Sequence, residues 1–245
     1  MSQARTEELM IAVIARMLSG LSHVAVGASS PIPGSAALLA RELSGGALRV
    51  SLLGRTSNPT FTDGARELFD CAAQGRIDAF FLSGVQIDGQ ANINLVSLGN
   101  PDKPEARFPG SFGSAYLYYV VPRVILFRQE HSTRSLVSKV DYVSAPGVSE
   151  PNVYRPGGPY ALVTGRCVFD FDKGNERFRL KSLHPGQSVA DIERETGFAF
   201  ETPGGQAVPE TKAPSPEWLE LLRGPIGDEI SEVYPEFAGK IFGTS

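Results

Sequence analysis

The stretch that decides the fold is GRIDAFFLSGVQIDGQANIN, residues 75–94. Within it, the segment 79–82 is a short apolar run bounded by turn residues, which predicts a strand buried on both faces. Amides and a carboxylate cluster just past the end of this run, which is where open α/β sheets bind ligands. The same side chains suit a tight turn closed by hydrogen bonds to the backbone, so both interpretations are open. The polar residues are Gln86, Asp88, Asn92 and Asn94.

Helical and extended patterns alternate around this stretch. Apolar residues at helical spacing predict a first helix beginning at Thr6, which is its predicted cap, and ending before Gly20. Residues 30–34 contain two prolines and a glycine, which predicts a turn of the chain. The alternation predicts an α/β fold with a mostly parallel sheet flanked by helices. Further strands are expected at 23–27 and 48–53, and further helices at 35–43 and 63–73.

The second half of the chain has fewer helical signals. Residues 123–127, 160–171 and 177–183 have extended patterns. A connector rich in proline and glycine follows at 201–216, and a short helix at 217–223 carries the one tryptophan. We predict one domain, residues 1–200, with a C-terminal extension, residues 201–245, that docks on the domain or on a partner.

Composition excludes several classes of function. The 245 residues are 42% hydrophobic and carry a net charge of −4, so there is no electrostatic case for binding nucleic acid. The two cysteines, Cys71 and Cys167, are far apart and fit neither a disulfide framework nor a metal site. No apolar run reaches the ~18 residues of a membrane span. We therefore expect a cytoplasmic protein without a metal ion.

An ordered series of motifs connects the chain to a known family. Residues 8–200 resemble the β subunit of the family I coenzyme A transferases, of the glutaconate CoA-transferase type. The resemblance implies a CoA-transferase (NagB/RpiA-like) fold with an extended C-terminal part, a partner α subunit in a heterodimer or heterotetramer, and an acyl-CoA thioester as substrate, with no permanently bound cofactor. The motifs are Gly-Arg-Ile-Asp at 75–78, the turn at 86–92, Gly-Ser-Phe-Gly at 110–113, the apolar strand at 123–127, Lys-Val-Asp-Tyr at 139–142 with Pro-Gly at 146–147, Val-Phe-Asp-Phe at 168–171 and Ser-Leu-His-Pro-Gly at 182–186.

The chain departs from the family at one decisive position. The resemblance implies a glutamate, just after the strand at 48–52, whose carboxylate attacks the thioester. This position falls at Leu53 and Gly54, and the segment 53–59 contains no acid. Steroid ring-opening CoA hydrolases, a branch of the same superfamily, also lack it, and their α chain supplies the glutamate. Three functions have to be separated. The first is transfer of CoA, and the second is hydrolysis or C–C ring opening with an acid from the α subunit. The third is a non-catalytic β subunit that completes the cleft of an active α subunit.

Three residues of this segment are candidates for a catalytic role: Arg55, Ser57 and Asn58. Arg55 suits a substrate carboxylate, which a guanidinium binds through two parallel hydrogen bonds, or else it is an ordinary surface arginine. Ser57 would need a neighbouring base to act as a nucleophile, and no histidine adjoins it in sequence. Polar contacts to substrate or a tight turn are the simpler roles for these side chains.

Further candidates for binding substrate or CoA stand in loops. The loop with Ser29 and Ser30 lies between a predicted strand and helix, where an anion can be received. The glycine-rich loop at 110–113 offers backbone N–H groups for an oxyanion or a phosphate, although the family usually has glycine in place of Phe112. The tyrosines at 116, 118 and 119 predict an interface with another chain or a platform for an acyl group. Substrate-binding candidates are Ser29, Ser30, Gln86, Asp88, Asn92, Gly110, Ser111 and Gly113.

Overall fold

The computed structural model describes residues 4–204 and 207–243. Spatial contacts divide the chain into two compact units. Unit 1 comprises the residues up to Phe81 and those from Lys212 onward, and unit 2 runs from Leu82 to Thr211. The division into 1–200 and 201–245 stays a prediction. Across the described residues, every helix is too short or too polar to cross a membrane.

The N-terminal part of unit 1 alternates helices and parallel strands. Its three strands lie in the order β3-β1-β2, with Val24 of β1 opposite Val50 of β2 and Ala79 of β3. Every residue of β1 and β3 is buried, as apolar strands between covering layers require. The elements are α1 (Thr6–Met17), β1 (His23–Val26), α2 (Pro31–Leu43), β2 (Arg49–Leu52), α3 (Ala65–Ala73) and β3 (Ala79–Leu82).

The starts of α1 and α2 differ from the sequence prediction in ways that the residues explain, and α3 begins at Ala65 rather than at position 63. The first residue of α1 is Thr6 itself, and the preceding Arg5 takes the cap position, where its backbone N–H donates to Glu8 at 2.8 Å. The segment predicted to turn at 30–34 instead forms the first turn of α2. Pro31 occupies the first helical position, where a missing N–H costs no hydrogen bond, so the proline starts the helix.

Unit 2 combines a parallel strand pair with an antiparallel hairpin. Strand β8 pairs with β9 in parallel, whereas β9, β10 and β11 are antiparallel neighbours. The phenyl rings of Phe169, Phe178 and Phe198 pack together in its core, with centroids 5.4 to 6.1 Å apart. Its elements are β4 (Gln86–Ile87), β5 (Ile93–Asn94), β6 (Ser97–Leu98), β7 (Ala106–Arg107), α4 (Ser114–Val120), β8 (Arg123–Arg128), β9 (Pro159–Thr164), β10 (Cys167–Asp172), β11 (Arg177–Leu183) and α5 (Val189–Glu195).

The C-terminal part returns to unit 1 as three short helices. Each begins with proline at its first or second position, and Ser215 caps the first of them by accepting a hydrogen bond from the N–H of Trp218. Apolar side chains of these helices, among them Leu222 and Ile230, are completely buried. The elements are α6 (Pro216–Arg223), α7 (Pro225–Ser231) and α8 (Pro235–Phe242). The predicted fold class, α/β with mostly parallel pairing at its centre, is confirmed.

Candidate active site

The loop after β1 is held in place by a tyrosine from the C-terminal part. Ser30, the residue before α2, is buried, and its backbone N–H donates to the hydroxyl of Tyr234 at 3.2 Å. The same hydroxyl donates to the carbonyl of Gly27 at 3.3 Å. Between these anchors, the exposed Ser29 has φ +58°, a left-handed conformation that costs energy for a residue with a side chain.

The loop after β2 contains no acid of its own. The N–H of Leu53 continues the parallel pairing by donating to the carbonyl of Val26 at 3.0 Å. Gly54 then turns the chain at φ +92°, where the lack of a side chain is an advantage. Arg55 is half-buried and Asn58 is exposed. The chain turns away directly after β2, and the segment 53–59 contains no acid.

A carboxylate from the C-terminal part nevertheless lies against this loop. Glu232, the residue after α7, accepts hydrogen bonds from the backbone N–H groups of Thr56 and Ser57 at 3.0 and 2.7 Å. It also accepts from the two hydroxyls, at 3.2 and 2.6 Å. The hydrogen bond from Ser57 is the main reason that the pKa of Glu232 is lowered to about 2. Glu232 is therefore ionised at neutral pH and anchors the loop.

A second carboxylate joins the loop to α2. Glu229 of α7 accepts two hydrogen bonds from Arg41, at 2.9 and 2.6 Å, and one from Arg55 at 2.5 Å. The hydrogen bond with Arg41 lowers the pKa of Glu229 and raises that of Arg41. Arg55 also contacts Glu232, with 3.3 Å between Nε and Oε2. Its guanidinium is thus engaged by two carboxylates of the same chain.

These contacts decide what the loop can do chemically. The hydroxyl of Ser57 has a carboxylate at 2.6 Å, but a carboxylate with a pKa of about 2 is a poor base for activating a hydroxyl. Arg55 would have to release Glu229 or Glu232 before it could pair with a substrate carboxylate. The catalytic roles of Arg55, Ser57 and Asn58 stay predictions, and the structure supports the simpler role, a loop held by polar contacts.

In unit 2, Asp88 closes the turn that the sequence pointed to. Its carboxylate accepts hydrogen bonds from the backbone N–H groups of Gln90 and Asn92, each at 3.1 Å, and from the side-chain amide of Asn92 at 3.1 Å. The other end of the Asn92 side chain accepts from the N–H of Gly147 at 3.1 Å. Asp88 and Asn92 are thus engaged in turn chemistry, as the simpler of the two interpretations expects.

Gln86 is buried and belongs to a second network of hydrogen bonds, which extends to the exposed Asp141. Its carbonyl oxygen accepts from Asn94 at 2.8 Å and from the N–H of Asp141 at 2.9 Å, and its amide donates to the carboxylate of Asp141 at 3.0 Å. Asp141 belongs to the Lys-Val-Asp-Tyr motif and also accepts from the N–H of Gly99 at 2.8 Å. Two motifs that are separate in sequence, the turn at 86–92 and Lys-Val-Asp-Tyr at 139–142, therefore meet here, and the ligand-binding role of Gln86 stays a prediction.

A cavity of about 920 Å³ lies beside the Asp88 turn. Its lining contains two cations, Lys139 and Arg177, and three carboxylates, those of Asp88, Glu176 and Glu201. Arg177 already pairs with Glu201 at 3.7 Å. The balance of charge disfavours a phosphate in this cavity.

The glycine-rich loop forms a tight turn before α4. Gly110 has φ +103°, and the carbonyl of Ser111 accepts from the N–H of Ser114 at 2.8 Å. Phe112 has φ +40° and an exposed side chain, at 84%. The glycine that the family usually has here would adopt this conformation without strain. Gly113 precedes α4, and the roles of Gly110, Ser111 and Gly113 in binding stay predictions.

The histidines of unit 2 belong to buried networks. His184, part of the motif at 182–186, contacts the hydroxyl of Thr211 at 3.0 Å and the carbonyl of Thr164 at 2.8 Å. His131 lies between the hydroxyls of Thr164 and Thr196. Burial lowers the pKa of His131 to about 4 and raises that of the nearby Cys167 to about 12. Both groups are neutral at pH 7, so the pair is not an activated nucleophile.

The family assignment follows from comparison with known proteins. The sequence profile of the family described as Coenzyme A transferase matches residues 5–195, more than three quarters of the chain. The chain belongs to the coenzyme A transferase family. The family resemblance predicted from the motifs is confirmed.

Relatives within this family include both transferases and a hydrolase. The B-type subunit of 3-oxoadipate CoA-transferase from Pseudomonas knackmussii is 32% identical over 86% of the chain and 80% of its own length. The B-type subunit of glutaconate CoA-transferase from Acidaminococcus fermentans is 33% identical over 60% of the chain and 56% of its length. The cholesterol ring-cleaving hydrolase IpdB subunit of Rhodococcus jostii is 30% identical over 64% of the chain and 62% of its length. The crystal structure of IpdAB from that organism matches with a TM-score of 0.78 and 24% identity over 91% of the chain and 94% of that structure, which supports the same fold.

Sequence reasoning missed the residues that hold the two loops of unit 1. Glu229, Glu232 and Tyr234 lie far outside the matched region, and they follow a segment that the sequence suggests to be a plain connector. The one local sign was the absence of an acid from the segment 53–59, which leaves Arg55 without a carboxylate close to it in sequence. The burial that makes such a partner necessary is known only from the structure.

Proposed function

We propose that this coenzyme A transferase family member is the β subunit of a two-chain enzyme that acts on an acyl-CoA thioester. We further propose that the reaction is hydrolysis or C–C ring opening, with the catalytic acid supplied by the α subunit. No permanently bound cofactor takes part in this reaction. The alternative within the family is transfer of CoA between carboxylates.

One observation carries the choice of hydrolysis or ring opening. The segment 53–59 lacks the acid that the transferase mechanism requires, and the two carboxylates that reach the segment are both engaged. Glu232 accepts four hydrogen bonds, and Glu229 binds two arginines. A carboxylate that attacks a thioester needs an accessible lone pair, and forming the anhydride would break these contacts.

An exposed aromatic surface supports a partner chain. Phe112 and Tyr154 are 84% and 83% exposed, and Tyr116 is exposed to 42%. The hydroxyl of Tyr119 on α4 donates to the carbonyl of Tyr154, which places the two segments side by side. Large aromatic side chains are enriched at protein interfaces, so we assign this surface to the α subunit.

A substitution tests this surface. Changing Phe112 to glycine removes an exposed ring and places glycine at a left-handed backbone position, which glycine adopts without strain. The free energy of unfolding should therefore change by less than about 1 kcal/mol. Co-purification with the α subunit should weaken. The matched control is Leu43→Ala, an exposed apolar side chain at the end of α2 that is not part of this surface. If the Phe112→Gly and wild-type chains recover equal amounts of the α subunit, Phe112 does not belong to the interface.

The reaction is tested on a complex co-expressed from this gene and an adjacent α-subunit gene. A panel of acyl-CoA thioesters is incubated with and without acceptor carboxylic acids, and both free thiol and product mass are followed. Thioester hydrolysis releases thiol without an acceptor. Ring opening adds one water to the substrate and releases no thiol. Transfer produces a new acyl-CoA only when an acceptor is present, and this result would contradict the hydrolytic proposal.

The second candidate function is a non-catalytic β subunit. The side chains of Arg55, Glu229 and Glu232 favour it, because they already bind one another and the loop. Side chains that only hold a loop in place take no part in the reaction. In that case, substituting Asn58, which is exposed on this loop, leaves turnover unchanged. A fall in kcat for Asn58→Ala in the co-expressed complex would favour the catalytic β subunit instead.

A further inference from the structure

One short segment near the C-terminus holds two loops at the same edge of a parallel sheet. Because β1 and β2 are parallel neighbours, the loops at 27–30 and 53–58 both follow carboxyl ends of strands. Residues 229–234 contact both loops, and they lie outside the region matched by the family profile. We propose that Glu232 and Tyr234 are positioning residues, which set these two loops in the conformation used in the reaction. This inference rests on the proposed function.

The contacts of Glu232 are concentrated on two consecutive residues. Its carboxylate binds the backbone N–H and the hydroxyl of both Thr56 and Ser57, at 2.6 to 3.2 Å. Binding both backbone groups fixes the path of the main chain, and binding both hydroxyls fixes the side-chain rotamers. Arg55, the residue before them, is fixed by Glu229 and Glu232 together. The conformation of the loop therefore depends on the C-terminal segment.

Tyr234 acts in a comparable way on the loop after β1. Its hydroxyl joins the carbonyl of Gly27 to the N–H of Ser30 and so bridges the intervening residues. One of these is Ser29, with φ +58°. Strained residues persist only where the surrounding structure imposes them, and they concentrate at functional sites. The tyrosine bridge holds both ends of the segment that contains this residue.

Glu232 is assigned to positioning rather than to attack on the substrate. A carboxylate offers about four lone-pair sites. Oε1 accepts three hydrogen bonds from Thr56 and Ser57, and Oε2 accepts one from the hydroxyl of Ser57 and lies 3.3 Å from Nε of Arg55. A group this well satisfied is a weak nucleophile and a weak base, but it holds its donors firmly. Covalent attachment of CoA to Glu232, detected by mass spectrometry of the complex after incubation with acyl-CoA, would overturn this assignment.

Limited digestion with trypsin measures the loop directly, without an activity assay. The peptide bond after Arg55 is a trypsin site within the loop. In the Glu232→Ala chain the loop opens more often, and we expect cleavage at this bond to be at least about tenfold faster than in the wild type. Glu236→Ala is the matched control, since Glu236 is an exposed glutamate on the neighbouring helix α8. Equal cleavage rates in Glu232→Ala and Glu236→Ala would overturn the inference.

Kinetics of the co-expressed complex separate positioning from mere structural support. Tyr234→Phe removes one hydroxyl and keeps the ring, so the fold is retained while the bridge to Gly27 and Ser30 is lost. We expect kcat to fall about tenfold for Tyr234→Phe and for Glu232→Ala, with a much smaller change in KM, because the interaction acts on the reacting geometry. Unchanged kcat in both variants, despite faster cleavage after Arg55, would overturn the reaction role.

The two failures are distinguishable. A wild-type complex that converts no acyl-CoA contradicts the proposed function, and the reaction role of Glu232 and Tyr234 falls with it. The digestion result still decides whether Glu232 holds the loop. An active wild-type complex with fully active Glu232→Ala and Tyr234→Phe variants contradicts the inference alone.

Discussion

At the scale of single residues, Glu8 shows how one side chain can serve two purposes. Its sequence position suits the positive end of α1, and its carboxylate does accept from the N–H of Arg5. The same side chain is completely buried and pairs with Arg223 of α6, at 2.6 and 2.8 Å. A glutamate is almost never fully buried without such a partner. Glu8 therefore joins the first helix of the chain to the last part of unit 1.

Replacing Glu8 by glutamine should lower the stability of unit 1. The amide keeps the shape of the side chain but removes the negative charge that faces Arg223, so the free energy of unfolding should fall by about 1 to 3 kcal/mol. Urea unfolding followed by circular dichroism measures this change. Glu220→Gln on α6, where the side chain is exposed, is the control and should stay within about 0.5 kcal/mol of the wild type. Equal losses in the two variants would mean that the pair contributes nothing.

His131 makes stability depend on pH. Burial is the main reason that its pKa is lowered from 6.5 to about 4, and the charges of Arg166 and His184 act in the same direction. Between these two pH values the unfolded chain binds a proton that the native chain does not bind. The free energy of unfolding therefore decreases as the pH falls from 6.5 to 4, and the full contribution of the neutral histidine is present above 6.5.

The His131→Asn variant tests this dependence. Its urea midpoint should be lower than that of the wild type at pH 7, because the contacts with Thr164 and Thr196 are altered. Between pH 6.5 and 4, however, its stability should fall less steeply, by up to about 1.4 kcal/mol per pH unit. Unfolding curves at pH 7, 6, 5 and 4 give both slopes. Parallel slopes would show that His131 does not titrate as described.

At the scale of elements, the periodic parts of the sequence were predictable. The strand at 79–82 was located to the residue, and α1, β1, β2, α3, β8 and β11 appear where apolar spacing predicts them. The reason is that these segments bury one face or both, so their hydrophobic pattern and their structure have the same cause.

Elements without a clear pattern were missed. At the position of the seven-residue helix α4, the sequence indicated only a cluster of three tyrosines. Of these tyrosines, Tyr118 alone is fully buried. The helices α7 and α8 are short and each contains an interior glycine, so local propensity argues against both. Tertiary burial of side chains such as Ile226 and Phe242 stabilises them instead, and no local signal reports that burial.

Gly147 ends one of the motifs, and the structure explains why the residue is glycine. A Cβ atom there would lie 2.1 Å from the carbonyl oxygen of Gln90 and 2.6 Å from the carbonyl carbon of Ala91. Both are backbone atoms of the Asp88 turn, and they cannot move without breaking it. Alanine at this position should lower the free energy of unfolding by roughly 2 kcal/mol or more.

The matched control for Gly147→Ala is Gly174→Ala. A Cβ at Gly174 would meet only a side-chain oxygen of Asp172, at 3.3 Å, and the backbone there needs no positive φ. This variant should unfold at nearly the wild-type urea concentration. If Gly147→Ala is as stable as Gly174→Ala, the close approach of the two backbones in unit 2 is not a constraint.

At the scale of the whole molecule, the site of unit 1 depends on residues that are remote in sequence. Arg55 and Glu229 are separated by 174 positions, and Thr56 and Glu232 by 176. The sequence showed that the loop lacks an acid, since this is a local fact. Which carboxylates would reach the loop depends on the packing of α7 against α2, and no local pattern specifies that packing.

Truncation after Thr211 tests how much unit 1 depends on its last helices. Removing α6, α7 and α8 exposes the apolar faces of α1 and α2 that they cover, so we expect unit 1 to lose its cooperative unfolding transition. Ile230→Ala, a milder change at a completely buried position, should cost about 2 to 4 kcal/mol and keep the transition. Circular dichroism against urea distinguishes the two cases. A truncated chain with the wild-type midpoint would show that the C-terminal helices are dispensable.

The discontinuity of unit 1 also has a consequence for how the protein is made. Residues 229–234 leave the ribosome after the whole of unit 2, whereas the loops that they hold leave it before unit 2 begins. Unit 2 is one uninterrupted stretch, and it is fully synthesised between these two parts of unit 1. In the nascent chain, the loops after β1 and β2 therefore lack their C-terminal contacts until residues 229–234 have been synthesised.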